Sequence, residues 1–184
     1  MPRLRASIAI LAVAILPRPA SAEESVYTSI APESCQLQPV DPEDPLESGV
    51  WLCAGYQGIP VLIVESDLRF FVSYGFDAGN RQAAHETLPP FNTIHTTLEW
   101  RLDDDGVPFA TILRFFAESF DGGPAEQILV VTAIGEAGVC HAAYVNASVN
   151  ADANVMARQA ADLFARNFDC SYHAPLWIGA RGTL

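Results

Sequence analysis

Residues 97–116 read TLEWRLDDDGVPFATILRFF, and this stretch decides the fold of the chain. Two runs rich in β-branched and aromatic residues flank the segment 103–106, whose Asp-Gly pair favours the positive φ angles of a tight hairpin turn. The alternation predicts one face formed by Leu98, Trp100, Leu102, Phe109, Thr111 and Leu113, and another formed by Thr97, Glu99, Arg101 and Arg114. We therefore expect a β-hairpin with an apolar core face and a charged outer face.

Similar β-rich runs lie on both sides of this hairpin. They cover residues 50–56, 59–64 and 67–74 before it, and residues 128–134 and 139–147 after it. One helix is predicted towards the C-terminus, capped by Asn150 or Asp152 and ending near Asn167. Its apolar positions at three- and four-residue spacing are Val155, Met156, Ala160, Leu163, Phe164 and Phe168. The sequence thus predicts an α+β domain over residues 49–184, with a mostly antiparallel sheet of six to seven strands packed against one C-terminal helix.

The first 22 residues have the pattern of a secretory signal peptide. Arg3 and Arg5 give a positive start, residues 6–16 form an apolar run, and Ala20-Ser21-Ala22 matches the small-x-small cleavage pattern. The apolar run is shorter than the roughly twenty residues that span a bilayer. We expect a Sec-type signal peptide cleaved after Ala22 and a periplasmic or secreted bacterial protein with no integral membrane segment.

Four cysteines follow the predicted cleavage site, which favours disulfides in an oxidising compartment. Three pairings are possible, and the pairing Cys35–Cys53 with Cys140–Cys170 closes the shortest loops. The first bond ties an acidic, Pro-rich and irregular arm over residues 23–48 to the opening strand. A zinc site formed by Cys140, His141, Cys170 and His173 is the alternative, but the spacing of these ligands is unlike that of structural zinc sites. The sequence therefore predicts two disulfides, no metal site and no cofactor.

The chain is acidic, and this bounds its partners. Its formal net charge is −12, and only seven of the ten basic residues lie beyond residue 22, against all 22 acidic ones. Repulsion from phosphates argues against a nucleic-acid partner. A basic protein is electrostatically favourable, and so is a small anionic ligand if arginines cluster locally. The arginine group that the strands suggest for such an anion is Arg69, Arg101 and Arg114, together with Glu99.

Two further groups are candidates for function. The loop formed by Leu88, Pro89, Pro90 and Phe91 is a candidate contact element on the surface. His85 or His95, together with Glu86 or Glu99, is a candidate acid–base set for a small exported hydrolase. Because no nucleophile motif accompanies these histidines, the sequence contains no assignable catalytic residue.

Several segments resemble a group of exported alphaproteobacterial proteins that have no assigned activity. They are residues 51–58 (WLCAGYQG), 67–75 (DLRFFVSYG), 88–92 (LPPFN), 140–144 (CHAAY) and 152–154 (DAN). The resemblance implies export and a single domain, and it transfers no functional residue. The function we expect is that of a non-catalytic periplasmic binding or inhibitor module. The alternatives are the small hydrolase and a structural component of the envelope.

Overall fold

The computed structural model describes residues 24–39, 43 and 47–183, so the predicted signal peptide lies outside the described residues. The strands and the helix are β1 (Glu24–Ser29), β2 (Cys35–Gln38), β3 (Glu47–Ala54), β4 (Pro60–Ser66), β5 (Arg69–Tyr74), β6 (Asn92–Leu102), β7 (Pro108–Ala117), β8 (Glu126–Gly135), β9 (Gly138–Asn146), α1 (Ala153–Phe164) and β10 (Leu176–Trp177). Within the described residues, no helix has both the length and the apolar character needed to cross a membrane.

These elements form three layers. Sheet A has six strands in the order β1-β6-β7-β8-β9-β10, and sheet B has four in the order β2-β3-β4-β5. All pairs are antiparallel except β9 with β10, which are parallel. Sheet B covers one face of sheet A, and α1 covers the other.

The predicted α+β class is confirmed, but the strands divide between two sheets and number ten in the described part of the chain. The difference has a simple physical cause. A strand that buries one face against a second sheet shows the same alternation as a strand that buries it against a helix. The sequence pattern therefore cannot show that β2 to β5 stack on β6 to β9.

The prediction of an irregular arm is wrong for the part of it that the structure describes. β1 pairs with β6 along its whole length, and the residue after it, Ile30, is buried in the core between the sheets. β2 pairs with β3, and Cys35 lies directly opposite Cys53 in that register. Backbone pairing gives these segments order that their weak side-chain periodicity does not indicate.

Both predicted disulfides are confirmed. Cys35 is bonded to Cys53 and Cys140 to Cys170, with sequence separations of 18 and 30 residues. The first joins neighbouring strands of sheet B. The second links β9 to the segment that follows α1. Each bond is worth about 3 kcal/mol through its restriction of the unfolded chain.

The central hairpin is confirmed, but its faces differ from the prediction. A register shift between the pairs Arg101–Ala110 and Leu102–Pro108 adds one residue to β7. Phe109 therefore leaves the face of Trp100 and packs on the helix side, where the guanidinium of Arg166 lies 3.9 Å from its ring centroid. The face that carries charge is covered by α1 and is not an outer surface.

The helix is also confirmed, but it is oriented differently from the prediction. Its large residues Val155 and Leu163 are 50% and 74% exposed. The residues it buries are small: Ala153, Ala157, Ala160 and Ala161. Alanines also recur at three- and four-residue spacing, and they allow the helix backbone to approach the sheet closely.

Candidate functional site

An apolar pocket opens between the two sheets at one end of the sandwich. It has a volume of about 170 Å³. We call it the inter-sheet pocket and define it by its principal lining residues: Ile30, Trp51, Ile63, Phe70, Ile94 and His95. For comparison, a cavity of about 150 Å³ in a protein core accepts a benzene molecule. The pocket therefore has room for one aromatic ring or branched aliphatic group.

A bulge in β6 produces the opening. Ile94 pairs with Phe115 and Leu98 with Leu113, so three residues, 95–97, lie opposite the single residue Arg114. Surplus residues of this kind bend a strand and interrupt its ladder. The ring Nδ1 of His95 accepts a hydrogen bond from the Thr97 amide at 3.0 Å. This bulge amide is therefore hydrogen-bonded within the protein although the ladder is interrupted.

The wall on sheet B is aromatic. The rings of Trp51 and Phe70 stack with their centroids 6.4 Å apart and an interplanar angle of 19°. The indole of Trp51 lies over Gly49, where a Cβ atom would come within 2.2 Å of the ring. Glycine at position 49 is therefore required for this position of the Trp51 ring.

A second depression continues from the pocket, and we call it the adjoining groove. It shares Phe70 and Thr93 with the inter-sheet pocket and has a volume of about 320 Å³. Its other principal lining residues are Glu65, Leu68, Phe91, Phe116 and Glu118. Apolar side chains thus line most of the groove, and two carboxylates lie among them.

Asn92 fixes the sheets together beside this groove. Its side chain is 3% exposed, and its Oδ1 accepts the Phe70 amide at 3.0 Å. Its Nδ2 donates to the Leu88 carbonyl at 2.6 Å and to the Thr87 hydroxyl at 3.0 Å. Sequence reasoning missed this residue, and the only signal was an asparagine at a strand start after a Pro-Pro turn.

Three of the four candidate anion-binding residues, Glu99, Arg101 and Arg114, share the helix side of sheet A as predicted, but Arg69 does not join them. Arg69 lies in sheet B and pairs with Asp67 at 2.6 Å. Arg114, on β7, donates hydrogen bonds to the side chains of Gln127 and Asn154. The other two members, Glu99 and Arg101, are both buried on the helix side of sheet A.

Glu99 and Arg101 join the sheet to the helix. Arg101 donates to both carboxylate oxygens of Asp162 at 2.8 Å, and Arg158 donates to Glu99 at 2.6 Å. The hydrogen bond to Glu99 raises the pKa of the Arg158 guanidinium. These two ion pairs, together with Ser25, orient α1 on the sheet and leave little of Arg101 accessible to a ligand.

The candidate contact loop lies only partly at the site. Leu88 is buried at 4% exposure, whereas Pro89 is exposed. Phe91 is 37% exposed and lines the adjoining groove. Of the four predicted loop residues, Phe91 is therefore the one that lines this groove.

The candidate acid–base residues are held apart. His85 is exposed on a short 3₁₀ turn. A carboxylate oxygen of Glu86 accepts the backbone amide of His141 at 2.6 Å, and Glu99 is paired with α1. His95, at the mouth of the inter-sheet pocket, thus lacks both carboxylates that the hydrolase hypothesis gave it.

A buried histidine that the sequence analysis considered only as a zinc ligand lies on β9. His141 is 1% exposed, and its Nδ1 shares a hydrogen bond with the Tyr144 hydroxyl at 2.9 Å. Burial lowers the pKa of His141 to about 3, so the imidazole is neutral at physiological pH. Burial, with a smaller contribution from the charge of Glu86, raises the pKa of the Tyr144 phenol. Neither group is poised for proton transfer near neutral pH.

The zinc alternative has lost its thiolate ligands, because Cys140 and Cys170 are bonded to each other. Among the described residues, no group of three or more His, Cys, Asp or Glu side chains is arranged to hold a metal ion. Comparisons with protein-family models, with curated proteins and with solved structures find no match to this chain.

Proposed function

We propose that this protein is a non-catalytic, exported binding module that takes an apolar group of its ligand into the inter-sheet pocket. The observation that carries the proposal is the pocket itself, an apolar concavity of about 170 Å³ between two sheets. Concave apolar sites with a few polar groups at the rim are the usual form of ligand sites. His95 and the backbone of the β6 bulge supply the polar rim here.

The pocket is held open by the fold, which lowers the cost of binding. The Cys35–Cys53 bond anchors the start of β2 to β3, directly after the crossing segment that contributes Ile30 to the pocket, and Asn92 joins the sheets at the groove. A preformed site loses little conformational entropy when a ligand enters. Burying one aromatic or branched aliphatic group contributes about 1.5–3 kcal/mol, and further contacts must supply the rest of the affinity.

The arrangement of polar residues supports binding over hydrolysis. A hydrolase of the kind considered from the sequence needs a histidine and a carboxylate within hydrogen-bond reach of one substrate. Glu99 faces α1 and Glu86 is bound to the His141 amide, so neither lies in the pocket beside His95. This distribution of the carboxylates favours a binding function over hydrolysis.

The neutral dye N-phenyl-1-naphthylamine tests the proposal, because its fluorescence rises when it enters an apolar site. We expect the oxidised protein to bind the dye and Thr96→Trp to weaken binding at least about tenfold, a loss of about 1.4 kcal/mol. Thr96 lines the pocket mouth and is exposed, so the larger side chain fills the pocket without disturbing the core.

Thr97→Trp is the matched control. Thr97 is the next residue, is also exposed and is not among the residues that line the pocket. It should bind the dye as the wild type does, and both variants should keep the wild-type melting temperature. Equal dye binding by the wild type and by Thr96→Trp, or none by the wild type, would contradict the proposed site.

A further inference from the structure

We infer that the adjoining groove binds the side chain of a lysine or arginine, and that the ligand is an extended segment of a basic partner protein with an apolar residue beside the basic one. This inference rests on the proposed function, because the same segment must place its apolar residue in the inter-sheet pocket. The two sites share Phe70 and Thr93, so one ligand can occupy both.

The side chains of the groove suit an organic cation. Phe70, Phe91 and Phe116 present aromatic rings to it, and Glu65 and Glu118 supply two carboxylates. The faces of aromatic rings attract ammonium and guanidinium groups, most strongly where water is partly excluded. The carboxylates add charge-assisted hydrogen bonds to the same group.

Neither of these two carboxylates has a counter-ion in the described part of the chain. Neither forms an ion pair or side-chain hydrogen bond with any residue that the structure describes, whereas nearby Asp67 is paired with Arg69. The apolar walls of the groove reduce the solvent screening of the two carboxylates. A cation therefore interacts with them more favourably than a neutral or an anionic group does. The formal net charge of −12 also attracts a basic protein over long distances.

The edge of β5 beside the groove cannot pair with a strand of the partner at Phe70, because the backbone groups of this residue are already hydrogen-bonded. The amide of Phe70 is bonded to the Asn92 side chain, and its carbonyl accepts the Thr87 hydroxyl at 2.6 Å. These backbone groups are unavailable to an added strand. A partner segment must therefore be held by the groups that enter the pocket and the groove.

Synthetic peptides test this inference. The probes are Ac-Gly-Phe-Lys-Gly-NH₂ and Ac-Gly-Phe-Gly-Lys-Gly-NH₂, each with a counterpart in which neutral norleucine replaces lysine, titrated by calorimetry at low salt. We expect at least one lysine peptide to bind about tenfold more tightly than its norleucine counterpart, because the ammonium gains the carboxylates and the rings. That preference should fall as salt is added.

The variant Glu65→Gln/Glu118→Gln should reduce the lysine preference to less than about twofold and leave norleucine binding unchanged. Phe91→Leu should reduce it by about two- to fivefold. The control Asp104→Asn/Glu136→Gln removes the same net charge from two exposed residues outside the groove, and it should keep the full preference.

The outcomes separate the two proposals. If the dye and both kinds of peptide bind and Thr96→Trp weakens them all, but lysine gives no advantage, the cation site is wrong and the inter-sheet pocket stands. If lysine gives an advantage that survives Glu65→Gln/Glu118→Gln, the groove is not its site. If no probe binds to the wild type, both proposals are overturned.

Discussion

The two faces of sheet A are both buried, but they are packed with side chains of different size. The face towards sheet B is built of large side chains, with Trp100, Leu98, Leu113 and Phe115 all at most 1% exposed. The face towards α1 is built largely of alanines on both partners, namely Ala110, Ala133, Ala142 and Ala143 on the sheet and Ala153, Ala157, Ala160 and Ala161 on the helix.

This difference teaches where a site can form. Alanines allow two backbones to approach closely, so the helix interface is filled by small groups and oriented by the ion pairs Glu99–Arg158 and Arg101–Asp162. Large side chains fill most of the space between the two sheets, and beside the bulge in β6 they leave a pocket that no side chain of the described residues fills. The inter-sheet face is therefore the one that carries the candidate ligand site.

The largest expected effect comes from truncating the inter-sheet face. Trp100→Ala should lower the free energy of unfolding by about 3–5 kcal/mol. Its ring packs edge-on against Tyr74 at a centroid distance of 5.7 Å, and its indole N–H donates to the Thr28 hydroxyl. Urea unfolding measures this loss. Trp177→Ala removes a partly buried indole at the margin of the same core and should lower the free energy of unfolding clearly less. Equal losses would show that the complete burial of Trp100 does not set the size of the effect.

The opposite change should damage the helix face. Ala157 is fully buried against sheet A, so Ala157→Leu forces a larger side chain into a close interface and should cost about 1–3 kcal/mol. The same denaturation assay tests it. Gln159→Leu, on the exposed side of α1, should change stability by less than about 0.5 kcal/mol. A tolerated leucine at position 157 would mean that the alanine interface is looser than described.

The smallest expected effect concerns pH and the buried histidine of β9. The folded pKa of His141 is about 3, below the ordinary value of 6.5, so protons bind preferentially to the unfolded chain. Its contribution to stability is therefore complete above about pH 6.5 and is lost as the pH falls from there towards 3. At pH 6 the loss should be about 1 kcal/mol relative to pH 8.

Comparing unfolding at pH 8 and pH 6 in the wild type and in His141→Gln isolates this contribution. The variant should be less pH-dependent than the wild type over this range, whatever its absolute stability. His85→Gln serves as the matched control, because it makes the same substitution at an exposed position outside β9. An identical pH dependence in His141→Gln and the wild type would show that His141 is not held neutral by burial.

Much of the local structure followed from the sequence. The hairpin over residues 97–116, the helix after Asp152 and both disulfide pairings are as predicted. Each of these depends on residues close in the chain: a turn, a periodicity or a short loop. The pairing of β1 with β6 was missed because the segments are more than sixty residues apart and β1 has only weak alternation.

The candidate site was less predictable. Only Phe91 of the predicted contact loop lines the adjoining groove, and only His95 of the acid–base residues lines the inter-sheet pocket. The arginine group was chosen from a hairpin face that α1 covers, and Arg69 belongs to the other sheet. Trp51, Phe70 and Phe116 look in the sequence like ordinary strand core, since exposure at a sandwich end does not alter their pattern.

The sequence by itself determined the elements, the hairpin turn, the cysteine pairs and the acidic charge, because these depend on local conformational preferences and on composition. Only the tertiary structure decided which face of sheet A packs against sheet B and which against the helix. It therefore also decided that alanines form the helix interface and that the pocket lies between the two sheets. The physical reason is that burial and cavity formation depend on contacts between segments distant in sequence, such as Trp51 with Phe70 and Asn92 with Leu88.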